Sequence, residues 1–137
     1  MKIYFAGSIR GGRSKINDYA KIIDKLKEMG EVLTVHVASP ELSSSGETLS
    51  YSKIYDRDMQ WLKQSDLVVA EVSLPSLGVG YEIAKAESFG KKIICFYDNS
   101  SEKVLSAMIG GNPNIEVIRY NNISEVIDYL DNLKINE

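Results

Sequence analysis

The sequence predicts an α/β protein, because short apolar segments alternate with segments of helical periodicity along the chain. The segment Leu67-Val68-Val69-Ala70 is hydrophobic at every position, which is typical of a parallel strand buried on both faces. Right-handed crossovers between consecutive strands favour a doubly wound arrangement. These observations predict a flavodoxin-like (Rossmann-like) five-stranded parallel sheet with helices on both faces.

Five segments are expected as strands, since each is a short run rich in apolar residues. The first of them ends at Gly7, where a turn toward a helix is expected. The predicted strands are 3–6, 32–37, 67–72, 92–97 and 115–120.

Five helices are expected between and after these strands. In the first, which runs from an N-cap at Ser14 to Met29, apolar residues recur at helical spacing until Gly30 ends the pattern. The other predicted helices are 52–63, 80–89, 102–109 and 124–133. Residues 39–50 contain a proline, three consecutive serines and a glycine, and are expected to form a loop.

Composition narrows the function classes. The 137 residues, 44% hydrophobic and 26% charged, suit one globular domain over 1–137. The net charge of −3 argues against a broad grip on nucleic acid, and no apolar run is long enough to span a membrane. One cysteine and one histidine offer neither an internal disulfide nor a metal constellation. We expect a cytoplasmic protein that binds neither nucleic acid nor membrane and needs no metal or cofactor.

The loop after the first predicted strand is the first candidate site, because ligands of parallel sheets bind beyond the carboxyl ends of strands. It reads Gly7-Ser8-Ile9-Arg10-Gly11-Gly12-Arg13 and precedes a helix. Glycines let backbone N–H groups approach a ligand, and arginine donates charge-assisted hydrogen bonds to phosphate. A phosphate or another small anion is predicted here, and the alternative is a tight turn with solvated arginines.

Carboxylates form the second candidate site. Glu82 is expected in the first turn of the third helix, where an ionised carboxylate is favoured and where it could also merely complement the helix dipole. Asp58 lies beside the apolar face of the second helix, a costly place for a carboxylate without a partner or a role. Two carboxylates near one ligand suit glycosidic-bond chemistry. Glu71 is expected to face solvent at the end of the third strand.

Two long motifs carry a resemblance to a known family. The segments 4–13 (YFAGSIRGGR) and 69–82 (VAEVSLPSLGVGYE) resemble the 2′-deoxynucleoside 5′-phosphate N-hydrolases (Rcl type) of the nucleoside 2-deoxyribosyltransferase superfamily. The similarity continues through 58–62 (DMQWL) and 104–109 (VLSAMI), so it covers nearly the whole chain.

The resemblance implies specific roles. Glu82 would attack C1′ of the deoxyribose, Asp58 would orient the sugar and handle protons, and Tyr4, at the carboxyl end of the first strand, would contact Glu82. A second group would bind the 5′-phosphate of a nucleotide substrate: Ser8, Ile9, Arg10, Gly11, Gly12, Ser76 and Gly78. Ser106 would reach the phosphate pocket of a neighbouring subunit in a homodimer. His36 would lie near the base.

Three alternatives stay open. A nucleoside 2-deoxyribosyltransferase would share Glu82 and Asp58, and a ribonucleoside monophosphate N-glycosidase of the cytidylate type would share the phosphate loop. A nucleotide-binding sensor on the same scaffold is the non-enzyme alternative. The arginines of the phosphate loop and Ser106 favour a hydrolase of deoxynucleoside monophosphates, with a glutamyl glycosyl-enzyme intermediate.

Overall fold

The computed structural model describes residues 1–9, 14–39 and 46–133. Its five strands form one parallel sheet in the order β2-β1-β3-β4-β5, which is the flavodoxin-like order expected from the sequence. The strands are β1 Lys2–Gly7, β2 Glu31–Val32, β3 Leu67–Glu71, β4 Lys92–Asp98 and β5 Glu116–Tyr120.

Helices cover both faces of this sheet. They are α1 Ile16–Met29, α2 Tyr51–Gln64, α3 Leu77–Ser88, α4 Ala107–Gly110 and α5 Ile123–Asp131. Ile3 and Phe5 of β1 pack in the core beneath α1 and α5, whereas Tyr4 and Ala6 pack in the core beneath α2 and α3. This alternation along β1 places the Tyr4 side chain on the face where α2 and α3 lie.

The second strand is shorter than the predicted 32–37, and a 3₁₀ helix at Val35–Ala38 follows it. The reason is Thr34, whose buried hydroxyl takes the place of the backbone hydrogen bonds that a longer β2 would make with Phe5 of β1. Its hydroxyl accepts a hydrogen bond from the Phe5 N–H at 2.8 Å and donates one to the Phe5 carbonyl at 2.7 Å. Both polar groups of Phe5 are thereby satisfied without a continued strand, so the chain is free to turn.

The third helix begins at Leu77, three residues before the predicted start at Gly80. The Ser76 hydroxyl caps it by accepting a hydrogen bond from the Val79 N–H at 3.3 Å. Two glycines in the first turns have low helix propensity and concealed this start. Glu82 consequently lies in the second turn, and the expected place in the first turn is wrong.

The starts of α1, α4 and α5 differ from the predicted starts because other residues cap these helices. The first helix is capped at Lys15 without a side-chain hydrogen bond, so the predicted cap at Ser14 is wrong. The predicted helix 102–109 is reduced to α4, for which Ser106 is the N-cap. At α5, Asn122 caps the helix by accepting the Ser124 N–H at 2.9 Å.

Glu71 is fully buried, so the expectation that it faces solvent is wrong. Its carboxylate accepts hydrogen bonds from the Ser73 N–H at 2.7 Å, from the Ser73 hydroxyl at 2.8 Å and from the Tyr120 hydroxyl. These donors make burial of the carboxylate tolerable and tie the end of β3 to β5.

No helix in the described part of the chain combines the length and the hydropathy needed to span a bilayer.

Candidate active site

A cleft of about 640 Å³ opens between α2 and α3 at the carboxyl edge of the sheet. This is the edge at which ligands of open parallel sheets bind. The residues that line it include members of both predicted motifs. They are Gly7, Ile9, Gly46, Glu47, Tyr51, Ile54, Tyr55, Asp58, Met59, Pro75, Ser76, Leu77, Gly78, Val79, Tyr81 and Glu82.

Glu82 projects from α3 toward β1, where the Tyr4 hydroxyl donates a hydrogen bond to its carboxylate. Burial of the carboxylate raises the pKa of Glu82 to about 7, and the negative charge of Asp58 adds to that rise. The hydrogen bond from Tyr4 and the positive charge of Arg57 act in the opposite direction. Glu82 is therefore a carboxyl group that changes charge near neutral pH.

Tyr4 is only 1% exposed, and burial together with the charges of Glu82 and Asp58 raises its pKa above the ordinary value. It therefore stays protonated and remains a hydrogen-bond donor. The residue lies in the middle of β1, so its expected place at the carboxyl end of the strand is wrong. Its long side chain spans the remaining distance to the cleft.

Asp58 reaches the same cleft from α2 and is half-buried. Burial raises its pKa, and Arg57 and His36 oppose that rise. Arg57 Nε donates a hydrogen bond to Asp58 Oδ1 at 3.0 Å, and Arg57 Nη2 lies 2.9 Å from the same oxygen. The structure thus brings Glu82 and Asp58 to one cavity, the pairing expected of a glycosidic-bond site, and a third carboxylate, Glu47, lines the same cavity.

The described part of the glycine-rich loop adjoins this cleft. Ser8 is fully buried; its N–H donates to the Tyr19 hydroxyl at 2.9 Å, and its own hydroxyl has no hydrogen-bond partner among the residues that the structure describes. Gly7 is required here, because a Cβ atom would lie 2.8 Å from the Tyr19 ring. Ile9 lines the cleft. The predicted phosphate ligands Arg10, Gly11 and Gly12 lie outside the described residues.

Ser76 and Gly78 flank the cleft from the start of α3. A Cβ atom at Gly78 would lie 3.8 Å from Glu82 Oε1, so glycine leaves the approach to that carboxylate open. The Ser76 hydroxyl is occupied as a helix cap in this structure but keeps a free lone pair and a proton to donate.

Two predicted site residues lie apart from this cavity. Ser106 is exposed and lines a second cavity of about 620 Å³, formed by α3 and the α4 segment. His36 lies behind Asp58, with its ring centroid 5.8 Å from that of Trp61 and its Nε2 3.4 Å from Arg57 Nη2.

Sequence reasoning missed two groups of residues in and beside the cleft. Glu47 and Arg57 form an ion pair beside Asp58, and an acid ten residues before an arginine gives no periodic signal. Three tyrosines also line the cleft: Tyr51, Tyr55 and Tyr81. Tyr51 and Tyr55 are four residues apart, a spacing that places both side chains on one face of the second helix, and this spacing could have indicated these two tyrosines.

In the described ranges, no group of three or more His, Cys, Asp or Glu side chains could hold a metal ion.

A family model described as nucleoside 2-deoxyribosyltransferase matches residues 3–133. The chain belongs to the nucleoside 2-deoxyribosyltransferase family. The 5-hydroxymethyl-dUMP N-hydrolase of Danio rerio is 54% identical over 112 residues, which are 81% of this chain and 78% of that protein. The human 5-hydroxymethyl-dUMP N-hydrolase is 50% identical over 111 residues, which are 80% of this chain and 64% of that protein. The resemblance found in the sequence is confirmed, as is the expectation that this family member is an enzyme of the N-glycosidase class.

Solved structures agree with this family assignment at the level of the fold. The CMP N-glycosidase of Clostridium botulinum superposes with a TM-score of 0.67 over 96% of this chain and 99% of that chain, at 24% identity. BlsM superposes with a TM-score of 0.72 over 95% of this chain and 86% of that chain, at 18% identity.

Proposed function

We propose that this family member hydrolyses the N-glycosidic bond of 2′-deoxynucleoside 5′-monophosphates, giving the free base and 2-deoxyribose 5-phosphate through a glycosyl ester on Glu82. The observation that carries the proposal is the Glu82 carboxylate, held by the Tyr4 hydroxyl in a cleft that it shares with Asp58. The names of the Danio rerio and human relatives, both hydrolases of a substituted dUMP, support the substrate class.

In the first step, a Glu82 oxygen bonds to C1′ as the C1′–N bond breaks. The electron pair of that bond leaves with the base, which takes a proton from water. Positive charge develops on the sugar as this occurs, and the negative charge of Glu82 stabilises it. A sugar without a 2′-hydroxyl forms such a cation more readily, which suits a deoxyribosyl substrate.

In the second step, water attacks C1′ and the ester bond to Glu82 breaks. Asp58 accepts the proton of the attacking water and later returns it to solvent, so the hydroxide left by the first step is neutralised. Glu82 regains its carboxylate and its hydrogen bond from Tyr4. The two carboxylates have separate tasks, because one bonds to carbon and the other carries a proton.

The 5′-phosphate would bind at the glycine-rich loop and Ser76. Within the described ranges the buried Ser8 hydroxyl has no hydrogen-bond partner, which is unusual for a buried polar group and suits a ligand that accepts a hydrogen bond from it. Binding energy from this unreacting phosphate would hold C1′ against Glu82.

Arg10→Ala is expected to lower kcat/KM for a deoxynucleoside monophosphate by about a hundredfold, since a charge-assisted bond to phosphate contributes about 1.5–3 kcal/mol. The unphosphorylated deoxynucleoside, which has no group for Arg10 to bind, should lose little. Steady-state kinetics on both substrates, with Arg119→Ala as the matched control, measure the difference. Equal losses on the two substrates would contradict a phosphate role for Arg10.

A homodimer with a shared phosphate pocket is part of the proposal. Three apolar side chains around Ser106 are strongly exposed: Leu77 at 96%, Val104 at 90% and Met108 at 80%. Such a contiguous apolar surface is typical of a protein interface. A second copy of the chain seated on it would bring its own Ser106 toward the neighbouring cleft.

Ser106→Trp is expected to lower kcat/KM by about tenfold or more, because the indole would obstruct the partner's phosphate pocket. Ser124→Trp, on the exposed side of α5, should have no such effect. Mixing Ser106→Trp with Glu82→Ala subunits would create heterodimers with one intact site, so activity should return on mixing. Absence of that recovery would contradict a site shared between subunits.

The proposed reaction is tested by incubating the protein with each deoxynucleoside monophosphate, with and without a second free base, and separating the products by chromatography. Release of base and 2-deoxyribose 5-phosphate in both incubations is expected. A new nucleotide carrying the second base would identify a transferase. Unchanged substrate would contradict both reactions and favour a protein that only binds nucleotides. A parallel incubation with ribonucleoside monophosphates tests the sugar preference.

A further inference from the structure

Arg57 contacts Asp58, a residue that lines the cleft, but does not itself line the cleft. Its guanidinium makes two close contacts with the same Asp58 oxygen, at 3.0 Å from Nε and 2.9 Å from Nη2. Arg57 therefore makes direct contact with the cleft through Asp58, although the charge of Arg57 also lowers the pKa of Glu82.

The guanidinium of Arg57 is fixed from two further directions. Glu47 binds it in bidentate fashion, with Nη1–Oε1 at 2.6 Å and Nη2–Oε2 at 2.7 Å. The Trp61 ring lies beneath it, with the guanidinium carbon 4.6 Å from the ring centroid. Bidentate pairing and stacking on indole both exploit the planar guanidinium, and a lysine could not reproduce them. Arg57 is thus a rigid support rather than a mobile surface charge.

The charges around Asp58 oppose one another. Burial raises the pKa of Asp58, the negative charge of Glu47 adds to that rise, and the contacts with Arg57 and the proximity of His36 lower it. Glu82, with its tyrosine hydrogen-bond donor, faces the same cavity, so Asp58 also lies near a second carboxylate. Of these groups, only Arg57 both contacts the Asp58 carboxylate and carries a permanent positive charge.

We propose that Arg57 is a positioning residue of the reaction, which fixes the direction of the Asp58 carboxylate and keeps it ionised to accept the proton of water. Glu47 and Trp61 in turn hold Arg57 in place. This inference rests on the proposed function for the role of Asp58 in turnover, but the effect of Arg57 on Asp58 is measurable without substrate.

The test compares three variants of the protein. Arg57→Gln removes the charge, Arg57→Lys keeps a charge but loses the bidentate fork, and Arg119→Gln is the matched control. Arg119 lies on β5, where its guanidinium packs over the Tyr97 ring of β4. Among the described residues it forms no hydrogen bond or ion pair with the cleft carboxylates Glu47, Asp58 and Glu82. Circular dichroism verifies that each variant retains the fold.

The first measurement is a carboxyl carbon NMR titration of the free protein, with the Asp58 signal identified by its loss in Asp58→Asn. The pKa of Asp58 is expected to rise in Arg57→Gln, to rise less in Arg57→Lys and to stay unchanged in Arg119→Gln. An Asp58 titration that is identical in Arg57→Gln and Arg119→Gln overturns the proposal, whatever the enzyme activity shows.

The second measurement is turnover of the deoxynucleoside monophosphate that the wild-type protein hydrolyses fastest. Arg57→Gln is expected to lower kcat by about tenfold or more with a smaller change in KM, as for a misplaced catalytic group. Partial rescue of kcat by Arg57→Lys is expected. A change confined to KM would mean that Arg57 binds substrate directly, and would also overturn the proposal. If the wild-type protein releases no base, the proposed function fails while the titration still decides the effect of Arg57.

Discussion

Glu82→Ala is expected to lower base release from a deoxynucleoside monophosphate by about a thousandfold or more, with the fold intact. The variant removes the atom that would bond to C1′ and the charge that opposes the developing cation. Removal of a nucleophile affects the chemical step itself, so kcat should fall while nucleotide binding persists. Chromatographic assay of free base gives kcat, and equilibrium titration with the monophosphate gives binding.

The matched control is Glu28→Ala. Glu28 is an exposed glutamate on α1, beneath the opposite face of the sheet, and its ion-pair distance to Lys25 is 3.6 Å. This variant should turn over substrate at the wild-type rate. Retention of turnover by Glu82→Ala would remove Glu82 from the mechanism and favour a site in which Asp58 activates water directly.

Tyr4→Phe is expected to shift the acid side of the pH–activity profile to higher pH. The Tyr4 hydroxyl stabilises ionised Glu82 and so lowers the pKa of that carboxyl, which burial has raised to about 7. Without this donor the pKa of Glu82 rises further. Because the proposed nucleophile, Glu82, would have to be ionised, activity is expected to fall as the pH drops through this pKa, and a higher pKa places the fall at higher pH.

The size of the Tyr4→Phe effect follows from the strength of a hydrogen bond to a charged group. Such a bond contributes about 1.5–3 kcal/mol, which is about ten- to a hundredfold in rate below neutral pH. Tyr129→Phe is the matched control, since the Tyr129 hydroxyl donates to Glu116 at 2.5 Å far from the cleft. A pH profile of kcat/KM that is the same for Tyr4→Phe and Tyr129→Phe would show that the Tyr4 hydroxyl does not control the ionisation of Glu82.

The candidate active-site cleft was only partly predictable from the chain. The motif at 69–82 marks Glu82, and the apolar face of the second helix marks Asp58 as a carboxylate in need of a partner. The partner itself, Arg57, is the adjacent residue and was not singled out, because its contacts depend on the side-chain directions of Glu47 and Trp61. The place of Ser106 at a second cavity also depends on how α4 packs, which periodicity does not report.

The sequence by itself determined the number of strands, their parallel order and the approximate helices, because hydrophobic periodicity records which side chains are buried against the sheet. Only the tertiary structure decided where β2 stops, where α3 starts and which polar groups meet. Thr34 is hydrogen-bonded to Phe5, which lies 29 positions away in the sequence, and Tyr4 is hydrogen-bonded to Glu82, which lies 78 positions away. Such contacts are set by the packing of distant segments, whose geometry no local pattern of residues contains.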